Sequence, residues 1–189
     1  MTTGGADLSA PFHVIRRQED HPMNETDETL NRTLWGLVTS ERTVMLSLNA
    51  ADALPRPMTA LIEPGTDEKV NPVAWFYAGQ NDPLVTELRQ SGAANAPAFF
   101  TFTSRDHHLF ATVRGAIAVS DDAAIRKRFS TPEAMSWFPD PQEPPVLLRF
   151  DPADAEIWNA DFSFVDGVKL LLGAKAEDTL AAKVAKIAY

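Results

Sequence analysis

Hydrophobic residues along the chain follow two spacings, and each change of spacing marks a predicted element. From Thr26 to near Ser40, leucines and valines recur every three or four residues, which is typical of a helix with one buried face and with Thr26 or Asp27 as its N-cap. Dense runs of apolar and β-branched residues then predict strands. These runs are RTVMLSLN (42–49), PMTALIE (57–63), PVAWFYAG (72–79), APAFFTFTS (96–104), HLFATVRGAIAVS (108–120), PPVLLRFDP (144–152) and DAEIWNA (154–160).

Capping residues between the strands predict three short helices. Each begins at a residue whose side-chain oxygen can accept a hydrogen bond from the first helical turn, and proline follows the cap in the first and third, which is the favoured arrangement. They are DPLVTELRQS (82–91) with Asp82 as N-cap, DDAAIRKRFS (121–130) with Asp121, and TPEAMSWF (131–138) with Thr131.

Two further features complete the expected architecture. Gly115, in the middle of a long strand, predicts a bulge or a sharp bend. The tail has apolar residues at helical spacing, which predicts one or two amphipathic helices from Asp166 onward. These apolar residues are Val168, Leu171, Leu172, Leu180, Val184 and Ile187.

The strands mostly follow one another with few helices between them. That order favours a mainly β (α+β) fold, in which an antiparallel sheet curls into a barrel and the helices pack outside. A chain of 189 residues suits one domain with terminal additions. We expect a loose N-terminal arm over residues 1–24, the barrel over 25–160, and a C-terminal helical extension over 161–189 that packs on the barrel.

Charge and composition narrow the classes of partner. Seventeen basic and 26 acidic residues give a net charge of −9, which repels polyphosphate and argues against a nucleic acid partner, although one local cationic pocket could still bind a small phosphorylated ligand. The absence of cysteine excludes disulfides, iron–sulfur clusters and thiolate zinc sites. No apolar run is long enough to span a membrane and no signal peptide is recognisable, so we expect a cytoplasmic protein.

Polar clusters give little support for metal or hydrolytic chemistry. Asp106, His107 and His108 are adjacent, but neighbouring side chains on a strand point to opposite faces and cannot both bind one ion. The carboxylate pairs are explained by helix capping at Asp121–Asp122 and by a turn at Asp151–Asp154. We therefore predict no metal site and no catalytic acid–base pair.

The stretch LPRPMTALIEPG (54–65) is the strongest candidate for a binding site. A hairpin would place its strand beside AWFYAG (74–79), and the helix that begins near Asp82 would start at the same end. Backbone amides, the guanidinium of Arg56 and a helix dipole could then surround an anion. The alternative is structural: the aromatic residues fill the barrel core and Arg56 faces solvent.

The order of these motifs resembles the FMN-binding split barrel of the pyridoxamine 5'-phosphate oxidase superfamily, and more closely its general stress protein branch. The motifs that carry the resemblance, over roughly residues 30–160, are LWGLVTS, TVMLSLN, RPMTA, AWFYAG, PLVTEL, ATVRGAIAVSDD, MSWFPD and ADAEIWNA. The resemblance implies an antiparallel split β-barrel with flanking helices. It also implies a homodimer with two FMN sites at the subunit interface.

The same resemblance implies a set of cofactor-binding residues. Arg56 would bind the FMN phosphate, and the backbone near Met58 and Thr59 would face the flavin ring. Asp82 and Leu84 would complete the phosphate-binding site. The full set of positions is Arg56, Pro57, Met58, Thr59, Phe76, Tyr77, Ala78, Asp82, Leu84 and Trp137, with Phe138 beside it. Trp137 would lie close to the site, contributed by the partner subunit.

The phosphate end departs from the pattern of these relatives. They commonly carry a hydroxyl residue where Ala78 stands, often another near Asp82, and a lysine where Leu84 stands. Replacing lysine by leucine removes a charge-assisted hydrogen bond worth about 1.5–3 kcal/mol. Candidate replacements for the lost cation are the arginines at positions 42, 89 and 105.

Two functions follow from the resemblance. In one, bound FMN performs hydride transfer and the chain is an oxidoreductase of the general stress protein type. In the other, the chain is a non-catalytic, FMN-deficient dimer that binds a related flat ligand, as the residues at positions 78, 82 and 84 suggest. A pyridoxamine 5'-phosphate oxidase proper is disfavoured because residues for its substrate phosphate have no clear counterpart.

Overall fold

The structure, a computed structural model, describes residues 25–50, 52–63, 72–92, 94–160 and 183–189. The predicted N-terminal arm and most of the predicted C-terminal helices lie outside these ranges. In chain order the elements are α1 (Glu25–Glu41), β1 (Thr43–Leu48), β2 (Arg56–Thr59), β3 (Leu61–Glu63), β4 (Val73–Ala78), α2 (Pro83–Ser91), β5 (Ala96–Thr103), β6 (Leu109–Ser120), α3 (Ala123–Phe129), α4 (Pro132–Met135), β7 (Val146–Asn159) and β8 (Lys183–Ala188).

The described strands form one antiparallel sheet in the order β2-β1-β5-β6-β7-β4-β3, with β8 paired to the second half of β7. Strands β2 and β3 lie at the two ends of this order, yet only Ala60 separates them in the chain. The sheet therefore has to curl until its edges meet. The predicted antiparallel split barrel with flanking helices is confirmed.

The predicted single strand over 57–63 is wrong, because the chain bends at Ala60. The Ala60 N–H leaves the sheet ladder and donates to the carbonyl of Arg42 at 2.7 Å. Before the bend, Met58 pairs with Val44 of β1, and after it Leu61 pairs with Trp75 of β4. The bend transfers the chain from one edge of the half-barrel to the other.

The two predicted strands on either side of residue 153 are in fact one strand, β7. The predicted turn at Asp151–Asp154 is therefore wrong. Strand β6 accommodates Pro152 through the predicted irregularity at Gly115: the register shifts between Arg114 and Gly115, which faces Pro152. A Cβ at Gly115 would overlap the carbonyl oxygen of Asp151, so only glycine allows this close approach.

Two core clusters lie on opposite sides of β4. Its side chains alternate, so Phe76 enters the main core that α1 covers with Leu34 and Val38, whereas Trp75 packs with Ile125 of α3 in a second cluster. Near the end of the chain, the Trp35 Nε1–H donates to the Tyr189 hydroxyl at 2.8 Å, which donates to Asn31 at 2.7 Å. This pair of bonds fastens α1 to the residue that follows β8.

The predicted N-caps Asp82 and Thr131 are confirmed. The predicted N-cap of α1 is wrong, because the helix begins at Glu25 and so includes Thr26 and Asp27, and α4 ends at Met135 rather than at Phe138. The N-cap of α3 is Asp122 and not Asp121, since its carboxylate accepts the N–H groups of Ala124 and Ile125 at 2.9 and 3.0 Å. At residues 183–188 the predicted helix is wrong. The buried positions 185 and 187 alternate with exposed ones, which is the period of a strand.

Candidate functional site

A cleft of about 160 Å³ opens where β1, the start of β2 and the start of α2 meet. Arg56 pairs with Leu46 of β1, and paired residues of an antiparallel ladder point to the same face of the sheet. Both residues therefore line the cleft. Its lining residues are Leu46, Ser47, Leu48, Asp52, Ala53, Leu54, Arg56, Pro83, Leu84 and Glu87. Of the predicted site residues, the structure brings Arg56, Asp82 and Leu84 together here.

Asp82 joins the two walls of this cleft. Its Oδ1 accepts a hydrogen bond from Arg56 Nη1 at 2.9 Å and from the backbone N–H of Leu84 at 2.8 Å. One carboxylate oxygen thus caps α2, as the sequence predicts, and neutralises the guanidinium of the edge strand. The side chains of Arg56 and Asp82 are 31% and 23% exposed, so water screens the pair only in part.

The charge around the cleft is negative. Asp52 and Glu87 line it, and Arg56 is the only basic residue among the described residues that do so. With Asp82, which binds Arg56, the cleft has three carboxylates and one guanidinium. Like charges repel across a partly buried cleft, so the arrangement disfavours an anion.

The other predicted positions on β2 divide between the two faces of the strand. Met58 packs against the main core, whereas Pro57 and Thr59 are exposed on the outer face. Strand β2 pairs only with β1 among the described strands, so its other edge is unpaired in this part of the chain.

The predicted positions on β4 and after α4 are not brought to the cleft. Phe76 and Ala78 are buried in the main core, and Tyr77 lies on the opposite face, where its hydroxyl donates to the carbonyl of Arg126 at 3.0 Å. Phe138 packs against the Tyr77 ring, and neighbouring Trp137 is 80% exposed.

The three arginines predicted as replacements do not line the cleft. Arg89 donates to the side-chain oxygen of Gln80 at 2.7 Å, and Arg105 lines a different cavity. Arg42 is exposed, with a left-handed backbone at the junction of α1 and β1.

The residues of the cleft do not fit the phosphate of FMN. A phosphomonoester carries about 1.5–2 negative charges near neutral pH and needs donors to balance them. Here Arg56 and the Leu84 N–H are both bound to Asp82, and the Leu84 side chain is only 4% exposed. What remains for a ligand is an apolar lip, the open edge of β2 and three carboxylates.

Sequence reasoning missed the two acidic residues that line the cleft, Asp52 and Glu87. Asp52 lies two residues before the candidate stretch 54–65, whose first residue, Leu54, is 78% exposed at the lip. Glu87 stands three residues after Leu84, a spacing that puts both on one face of α2. Helical spacing therefore could have identified Glu87 once α2 was predicted.

A second cavity, of about 310 Å³, lies on the outer face of β1 and β5. Its walls include Thr43, Met45 and Thr101, whose register partners continue this face to Thr59 and Pro57. The backbone N–H of Arg105 donates to Glu41 at 2.9 Å at its rim.

The histidine turn serves the fold. The buried Ser104 hydroxyl donates to Asp106 at 2.6 Å and accepts the N–H groups of His108 and Leu109. The hydrogen bond from Ser104 and that from the His108 backbone hold the pKa of Asp106 below its usual value. In the described ranges no three histidine or acidic side chains cluster as a metal site requires, and no helix there has the length and apolarity to cross a membrane.

The family model described as "Pyridoxamine 5'-phosphate oxidase like" matches residues 29–179. A general stress FMN/FAD binding protein from Xanthomonas citri is 31% identical, with a TM-score of 0.60, over 72% of this chain and 93% of that one. A putative general stress family protein from Xanthomonas campestris pv. campestris is 30% identical, with a TM-score of 0.57, over 72% and 92%. No curated protein sequence matches.

A third solved structure has a similar fold. A putative general stress protein 26 from Jannaschia sp. CCS1 has a TM-score of 0.64 at 21% identity, over 85% of this chain and 99% of that one.

Proposed function

This chain belongs to the pyridoxamine 5'-phosphate oxidase-like family, and we propose that it binds a flavin along the open edge of β2 and the cleft beside Arg56. The relative from Xanthomonas citri, named as an FMN/FAD binding protein, supports the ligand class. The proposed location rests on one observation: Arg56 lines the cleft between β1, β2 and α2.

The contacts available at this place suit the flat part of a flavin better than its phosphate. Leu54, which lines the cleft, offers an apolar side chain that is 78% exposed. Burying apolar surface against a ring contributes roughly 25 cal/mol for each Å² removed from water. FMN is the cofactor that the family resemblance implies; Leu54 would pack against its ring, whereas the carboxylates of the cleft oppose its phosphate.

A homodimer belongs to the same proposal. The cleft of about 160 Å³ is small beside the roughly 300–1,000 Å³ of ordinary ligand pockets, so one chain can enclose only part of a flavin. Met45, on the outer face, and Trp137, after α4, expose large apolar side chains that a second copy would cover. We infer that a second copy supplies the rest of the enclosure.

We also propose that the chain is an oxidoreductase that uses the bound flavin. A flavin, once bound, supplies the hydride chemistry itself, and a protein of this kind supplies binding, orientation and exclusion of water. The second candidate is a non-catalytic dimer that binds a flat ligand. The ion pair of Arg56 with Asp82 favours this alternative, because it removes the cation that would hold FMN.

A titration of the full chain with riboflavin and with FMN, followed by flavin fluorescence, tests the proposal. We expect saturable micromolar binding of at least one flavin. Leu54→Ser should weaken it by roughly fivefold, the equivalent of about 1 kcal/mol of lost apolar contact. Val119→Ser is the matched control, since Val119 is an exposed apolar residue outside the cleft. Absence of binding to high micromolar concentration would overturn the proposal.

A further inference from the structure

We propose that the cleft selects a flavin whose side chain ends in a neutral hydroxyl over one that ends in a phosphate. This inference rests on the proposed function, because it concerns which flavin the same site takes. Its basis is that Asp82 occupies the position on Arg56 that a ligand phosphate would need.

Asp82 is held in that position by two elements at once. Its Oδ1 accepts from Arg56 on β2 and from the Leu84 N–H at the start of α2. A phosphate that took Arg56 would have to displace the carboxylate, and a displaced carboxylate would leave the first turn of α2 without its cap. The chain therefore supplies its own anion, preorganised by the fold.

The remaining charges act in the same direction. Asp52 and Glu87 line the same cleft, so a phosphate placed at Arg56 would be repelled by two further carboxylates. A hydroxyl-bearing chain meets no such repulsion, because each hydroxyl can donate to a carboxylate and accept from a guanidinium.

The preference has a specific electrostatic origin and can be reversed by one isosteric change. Asp82→Asn keeps a side-chain oxygen that caps α2 well, yet it removes the charge that neutralises Arg56. Asp122→Asn is the matched control, because Asp122 caps α3 through two backbone N–H groups and does not line the cleft.

The test measures dissociation constants of riboflavin and FMN for the full chain and both variants at low ionic strength. In the wild-type protein we expect FMN to bind at least about tenfold more weakly than riboflavin. Asp82→Asn should reduce that ratio by about tenfold, and Asp122→Asn should leave it unchanged. Salt at 0.5 M should also bring the wild-type ratio towards one by screening the carboxylates, a result that depends on no variant being stable.

The outcomes separate this inference from the proposed function. Tighter binding of FMN than of riboflavin by the wild-type protein would overturn the selectivity while leaving flavin binding intact. A ratio that neither Asp82→Asn nor salt changes would overturn its electrostatic cause. If neither flavin binds to any of the three proteins, both proposals fail together.

Discussion

The Arg56 guanidinium and the Asp82 carboxylate, 26 positions apart in the chain, meet at 2.9 Å and join the edge strand of the half-barrel to the helix that follows β4. Because the same oxygen caps α2, the contact belongs to the fold as well as to the cleft. Any ligand that uses Arg56 as a cation has to compete with this intramolecular pair.

Removal of the Asp82 side chain should therefore cost stability. Asp82→Ala loses the cap and the ion pair, and we expect the free energy of unfolding to fall by about 1–2 kcal/mol. Asp82→Asn should cost clearly less, since it keeps the cap. Urea denaturation of both variants checks this, and equal losses would show that the cap contributes nothing.

A substitution at Gly115 should disrupt the β6–β7 ladder. The added Cβ of Gly115→Ala would overlap the carbonyl oxygen of Asp151, and we expect a loss of about 2 kcal/mol or more. Gly36→Ala is the control: Gly36 lies inside α1 with open space at its Cβ, so this change should stabilise the protein by about 0.8–1 kcal/mol. A lower melting temperature for Gly115→Ala and a higher one for Gly36→Ala, measured by thermal unfolding, would bear out both expectations.

The Tyr189 hydroxyl should stabilise the fold, because it accepts the hydrogen bond of the Trp35 indole N–H on α1. Tyr189→Phe leaves the Trp35 Nε1–H without its acceptor, and we expect a loss of about 1–3 kcal/mol. Tyr77→Phe is a useful comparison, since its hydroxyl donates to a backbone carbonyl on the α3 side. An unchanged urea midpoint for Tyr189→Phe would contradict the assigned bond.

Stability should fall in alkaline solution because of the same tyrosine. Burial raises the pKa of Tyr189 above its ordinary value near 10, so the folded state retains a proton that the unfolded chain releases. Its stabilisation is complete below about pH 10 and decreases as pH rises further. Urea midpoints from pH 8 to 11 should decline less in Tyr189→Phe than in the wild type, and parallel declines would rule out this origin.

If the chain forms the proposed dimer, a charge at Met45 on the outer face of β1 should disrupt it. Met45→Glu places a charge where a second copy would cover an exposed methionine, so we expect monomers by analytical ultracentrifugation and weaker flavin binding. Circular dichroism should show an unchanged fold, because Met45 points away from the core. A dimer that survives this change would place the interface elsewhere.

Much of the fold could be predicted from local signals. The period of α1, the Asp82 and Thr131 caps and the bulge at Gly115 each depend on a few neighbouring residues. The continuity of β7 could not be predicted, because Pro152 normally interrupts a strand and its tolerance depends on a bulge in another strand.

The candidate site was less predictable for a related reason. The resemblance identified Arg56, Asp82 and Leu84, and the structure brings these three together. Whether Asp82 turns towards Arg56 depends on the curl of the whole sheet, which no local pattern encodes. The alternation along β4 could have indicated that Phe76 and Tyr77 face opposite sides.

A co-crystal structure of the full chain with riboflavin tests the central claim most directly. We predict the flavin ring at the open edge of β2 beside Leu54, with Arg56 still bound to Asp82 at close to 2.9 Å. A flavin bound elsewhere, such as in the cavity between Glu41 and Arg105, would contradict the proposed site.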